Sequence, residues 1–195
     1  MSRNQLGIQG SQLLIEEIKK TGWTSLTALD LTDNGIKAKV CSELLLALPS
    51  SITRLILDGN FSIQQEMEEL ALTLGVFINN HSNLHSLSIA GLKEKKFGKR
   101  ITPFFELLGS NTTLKELNIS GHTMGPFSFA KFCSALRKNS SLEWISLDRN
   151  TITINSFLLL LQTIKYNNTI KEIEFPKEDA YKDPRSLQIA LQIHH

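Results

Sequence analysis

Leu142-Glu143-Trp144-Ile145-Ser146-Leu147-Asp148-Arg149-Asn150-Thr151-Ile152 sets apolar residues at its first, fourth, sixth and eleventh positions and an asparagine at its ninth. The same pattern recurs on both sides. Leu26, Leu29, Leu31, Asn34 and Ile36 hold these places in one stretch, and Ile52, Leu55, Leu57 and Asn60 in the next. Leu84, Leu87 and Ile89, then Leu114, Leu117 and Ile119, then Ile170, Ile173 and Phe175 repeat its first half. The units begin at 26, 52, 84, 114, 142 and 170, so successive starts lie 26, 32, 30, 28 and 28 residues apart. Five spacings in so narrow a range are not a chance recurrence; they mark one supersecondary unit used again and again.

Side chains alternate along a strand, so the fourth and sixth positions point inward while the third and fifth point out. Helix-like runs follow the strands: Leu44, Leu45 and Leu48; Phe129, Phe132 and Leu136; Phe157, Leu158, Leu161 and Ile164. No unit can bury its own apolar face, so neighbours must stack. Period and pattern are those of a leucine-rich repeat with a full helix in each unit, the ribonuclease-inhibitor-like class. The expected fold is an α/β leucine-rich repeat solenoid, a horseshoe with parallel strands on the concave face and helices on the convex face. One repeat domain is expected over 1–195, with a partial repeat at 1–25, six repeats at the starts above and a capping helix at about 184–195.

Asn34, Asn60 and Asn150 hold the ninth position, where an amide bonds the backbone of the tight turn and forms part of a ladder. Leu92 and His122 replace it in two units, and His122 reads as a turn residue rather than a metal ligand or base. Asn4-Gln5-Leu6 reads as the end of a turn, with Leu13, Leu14 and Ile18 on the helix after it. No polar cap precedes that helix, so the chain is expected to continue upstream. Phe175-Pro176 ends the last strand, since proline removes a ladder donor. Asp183-Pro184 reads as an N-cap and first helical residue, with Leu187, Ala190 and Leu191 on one face of the closing helix. Asn-x-Ser/Thr occurs at Asn60, Asn80, Asn111, Asn118, Asn139 and Asn167. Those at 111, 139 and 167 fall just before strands, where turn chemistry is favoured over glycosylation.

The chain carries 21 basic and 19 acidic residues, a balance that argues against nucleic acid as partner, because phosphate binding needs a concentrated basic face. Cys41 and Cys133 fall on helices three repeats apart, out of disulfide reach. Two free thiols indicate a reducing, cytoplasmic compartment. There is no signal-peptide core and no apolar run long enough to span a bilayer. Phosphate loops, His-Glu-x-x-His, Cys-x-x-Cys and Gly-x-Ser-x-Gly are all missing, and the five histidines lack metal-ligand spacing. No catalytic residue, metal or cofactor is expected, and the function is expected to be protein binding.

A protein partner is expected on the concave wall, where the third and fifth positions face out. Trp144 is the first candidate, because tryptophan is enriched at binding hot spots. The alternative is that it packs along the wall against Asn118 or Glu172. Asp30, Arg54, Glu116, Arg149 and Glu172 would supply polar specificity around it, or be solvated charges. A second candidate is the loop 93–100, with five basic residues of eight, open to a weak contact with acidic lipid or an acidic protein, or simply a solvated connection.

The later repeats resemble one family. Leu117-Asn118-Ile119-Ser120-Gly121 with Met124-Gly125 is similar to a repeat of the capping-protein, Arp-complex and myosin-I linkers (CARMIL). Trp144 to Phe157, with Asp148-Arg149-Asn150 and Ile152-Thr153, is similar to the next. Asn168-Thr169-Ile170 with Phe175-Pro176 and Asp179-Ala180 resembles the last. The resemblance covers about residues 114–181. It implies an actin-regulating scaffold in which membrane-binding, dimerising and capping-protein-binding parts lie outside this segment. It transfers no site residue. The alternative is a GTPase-activating repeat protein similar to the Ran activator, although the acidic tail of that family is not visible here. An inhibitor resembling the ribonuclease inhibitor is disfavoured by two cysteines and a net charge of +2.

Overall fold

The computed structural model describes residues 3–61 and 66–194 of the chain. It is a mixed α/β structure built on a six-stranded parallel sheet in the order β1 to β6. The strands are β1 (Ala28–Asp30), β2 (Arg54–Ile56), β3 (Ser86–Ser88), β4 (Glu116–Asn118), β5 (Trp144–Ser146) and β6 (Glu172–Ile173). Each falls within the third to fifth positions of one unit, because alternation sets the fourth position against the helices. Leu29, Leu55, Leu87, Leu117, Ile145 and Ile173 are buried there, and Leu31, Leu57, Ile89, Ile119 and Leu147 continue the same layer.

Helices follow the strands: α2 (Ala38–Ala47), α3 (Met67–Asn80), α4 (Thr102–Leu108) entered through a 3-10 turn at Gly98–Ile101, α5 (Gly125–Lys138) and α6 (Ile154–Ile164). α1 (Gly7–Thr21) precedes the sheet, and α7 (Lys177–Ala180) and α8 (Pro184–His194) follow it; His195 lies outside the described residues. The helices pack on one another in chain order over the buried face of the sheet. Phe105 of α4 meets Phe132 of α5 with ring centroids 5.2 Å apart.

Two helix faces, those of α6 and α8, differ from their sequence reading, and in α1 only part of the apolar run is buried. α6 buries Phe157, Leu160 and Thr163, while Leu158 is 43% exposed and Leu161 and Ile164 are half-buried. α6 contacts α8 as well as α5, and this second neighbour takes the Leu161 side. In α1 Leu13 is exposed and Ile15 is buried beside Leu14 and Ile18. In α8 Leu191 is exposed, and Ala190 and Ile193 are buried. Asp183 does cap that helix, accepting from the Arg185 amide at 3.0 Å.

Two hydrogen-bonded ladders run along the edges of the stack. At the strand-to-helix edge, Asn60 Oδ1 accepts from the amides of Asn34 and Ile36, and Nδ2 donates to the carbonyls of Leu31 and Leu57. Asn150 does the same for His122, Ile119 and Leu147. The buried Asp179 carboxylate then receives the Asn150 amide. At the helix-to-strand edge, Asn111, Asn139 and Asn167 donate back to the carbonyls of Ile78, Leu108 and Leu136 and accept from Leu114, Leu142 and Ile170. Their sequons are thus occupied by turn chemistry. Gly121 sits at φ 80° with the Gly91 carbonyl so near that a Cβ would stand 2.2 Å from its oxygen. Only glycine admits that approach of two backbones. Cys41 and Cys133 are free and buried, and burial pushes both thiols up to about 12.

Candidate partner-binding surface

The parallel register aligns the outward positions into rows. Ala28, Arg54, Ser86, Glu116, Trp144 and Glu172 are direct neighbours in one row. Asp30, Ile56, Ser88, Asn118 and Ser146 form the next. The structure therefore brings Arg54, Glu116, Trp144 and Glu172 together on the open face of the sheet, with Asp30 one row away. Arg149 stands apart, exposed in the turn after β5 with φ 58°.

Trp144 is half-buried, and Arg54, Glu116 and Glu172 are exposed. A shallow hollow opens beside the indole, lined by Arg54, Asp58, Ser86, Ser88, Glu116 and Asn118. Ser86 and Ser88 make the hollow by being small, a property that a search for large or charged residues passes over.

Several carboxylates at this face hold the turns. Burial works to raise the Asp30 carboxyl, but its hydrogen bonds from Thr32 and the nearby Arg54 charge keep it below the usual range. Asp58 accepts from Ser88 Oγ and the Ala90 amide, yet burial dominates and holds it above the usual range. Asp148 accepts from the amides of Glu178 and Asp179. Beside the wall, Glu143 pairs with Lys171 and Lys115, and these two cations lower its carboxyl.

The basic loop is folded down as a strap. Leu92 and Lys95 bond each other's backbone, Leu92 lies over Gly59, and Lys95 pairs with Asp33, two units back. His122 sits beneath, fully buried. Its Nδ1 accepts from the Phe97 amide and its Nε2–H donates to the Ile89 carbonyl at 2.6 Å. It is thus a rung of the ladder as well as a turn residue. Burial pushes its imidazole down to about 4, against the opposing bond to Ile89. Among the described residues no cluster of three or more His, Cys, Asp or Glu could hold a metal, and no helix is long and apolar enough to cross a membrane.

No family model matches the chain. It is 31% identical over 193 residues to capping protein, Arp2/3 and myosin-I linker protein 3 of Homo sapiens, a match covering 95% of this chain and 13% of that protein. It is 26% identical over 203 residues to protein CARMIL of Dictyostelium discoideum, covering 99% of this chain and 19% of that one. The chain thus spans less than a fifth of these curated relatives. Among solved structures, leiomodin-1 actin-binding site 2 superposes with a TM-score of 0.57 at 16% identity, covering 92% of this chain and 94% of that one. The chain resembles a short stretch of the CARMIL proteins in sequence and leiomodin-1 in fold.

Proposed function

We propose that the chain is a non-catalytic protein-interaction scaffold of the actin-regulating cytoskeleton, acting in the cytoplasm. In this reading residues 1–195 are one leucine-rich repeat domain, with the part-unit at 1–25 and the capping helix at its end, and the open sheet is the concave wall. The observation that carries it is the single row holding Arg54, Glu116, Trp144 and Glu172, with a large aromatic left partly exposed to water. The names of the relatives, which link capping protein, Arp2/3 and myosin-I, direct the choice of partner.

The test is to immobilise the chain and recover partners from a cell extract, with Trp144→Ala alongside. Recovery of actin-regulatory proteins that falls at least tenfold in the variant is expected, since removing an anchor aromatic costs about 2 kcal/mol or more. Equal recovery by both would remove Trp144 as the anchor. Stimulated GTP hydrolysis by a small GTPase would favour the GTPase-activating alternative instead.

A further inference from the structure

We propose that the partner of this wall presents an extended, basic segment, and that Trp144 receives one of its Lys or Arg side chains between Glu116 and Glu172. The inference rests on the sheet-face reading above and names its partner class. At the third, fifth and seventh positions of the units the open face carries Asp30, Asp58, Glu116, Asp148, Glu172 and Glu174, against Arg54 alone. The whole chain is at +2, so this acidity is local.

Not all of those carboxylates are available. Asp58 and Asp148 are engaged by backbone amides, and Asp30 lies beside Arg54. Glu116, Glu172 and Glu174 are exposed and form no ion pair among the described residues. The lysines next to them in sequence, Lys115 and Lys171, are held by Glu143. Register places Glu116 and Glu172 directly on either side of Trp144. Strands in a sheet lie about 4.8 Å apart, so both carboxylates reach a cation over the indole. An aromatic face attracts a cation through its quadrupole, and a carboxylate on each side adds charge-assisted hydrogen bonds. In an extended peptide alternate side chains face the wall, and the hollow lined by Ser86, Ser88 and Asn118 accepts the next one with hydroxyl and amide partners.

The probes are a synthetic peptide alternating lysine and serine and its glutamate–serine counterpart. They are titrated into the labelled chain while the indole N–H signals of Trp144 and Trp23 are followed by NMR. The basic peptide is expected to shift Trp144 and the backbone signal of Glu116, leave Trp23 in place, and weaken with added salt. The double variant Glu116→Gln, Glu172→Gln should bind it roughly tenfold more weakly, since two charge contacts to one cation are lost. No shift at Trp144, the same shift with the glutamate peptide, or unchanged affinity in the double variant would overturn the proposal. In the extract experiment, a partner lost from Trp144→Ala but retained by the double glutamine variant would sink the basic-segment inference and leave the scaffold reading intact.

Discussion

The two ladders solve one problem with different regularity. At the helix-to-strand edge, Asn111, Asn139 and Asn167 repeat a single arrangement, each closing its own turn and reaching back one unit. At the strand-to-helix edge, the arrangement holds at Asn60 and Asn150, but the third unit offers Leu92 and an inserted strap, and the fourth offers His122. The imidazole keeps the donor on the preceding strand's carbonyl. Its acceptor meets Phe97, within the strap, where an asparagine in the same ladder meets the turn itself. What a rung must supply is one donor and one acceptor in fixed directions, and the amide is only the commonest carrier. The cost of the exchange is a titratable group sealed in the core.

The regular ladder is the place to break first. Asn139 is buried, and Asn139→Ala would orphan the amides of Ser141 and Leu142, so a loss of about 3 kcal/mol in denaturant unfolding is expected. Asn167 makes the same bonds half-exposed near the end of the stack, and Asn167→Ala should cost about 1 kcal/mol. Equal losses at the two sites would show that exposure does not set the worth of a rung.

The rebuilt ladder should respond to acid. The imidazole of His122 is held at about 4 in the fold, against an ordinary value near 6.5. Above pH 6.5 both folded and unfolded states are neutral. Below it the unfolded state takes up a proton first, so stability falls as pH drops from about 6.5 to about 4, by about 3 kcal/mol in all. His122→Asn should cost stability at pH 7 and flatten this slope. A variant with the slope of the parent chain would locate the acid sensitivity elsewhere. The smallest effect belongs to the strap. Its Lys95–Asp33 pair is about two-fifths exposed, and Lys95→Ala should change stability by about 0.5 kcal/mol, less in high salt.

Periodicity made the strands legible because period-two burial leaves little freedom: Leu29 and Leu55 can be buried only if Ala28, Asp30, Arg54 and Ile56 are turned out. The rows of the candidate surface follow from the same constraint. Helix faces were less legible, as Leu158 and Leu191 show, because an apolar side chain at 3.6-residue spacing can serve either of two neighbours and packing chooses between them. His122 was recognisable as a departure from asparagine, but its bonding partner Phe97 lies across an insertion whose path no repeat pattern specifies. The acidic character of the open face was present in the sequence and hidden by the chain's near-neutral total.

Every rung of the two ladders reaches back one unit. Asn60 completes the turn that holds Asn34, Asn139 covers carbonyls of the unit before it, and Asp179 receives the amide of Asn150. A chain growing from the ribosome therefore leaves each newly made turn with open amides and carbonyls until the next repeat has emerged. Translation runs at about 5–20 residues per second, so each turn waits a few seconds for its completion. A pause between repeats would hold the nascent chain with one unsealed turn at its leading edge, and the order of synthesis is built into the direction of the ladder bonds.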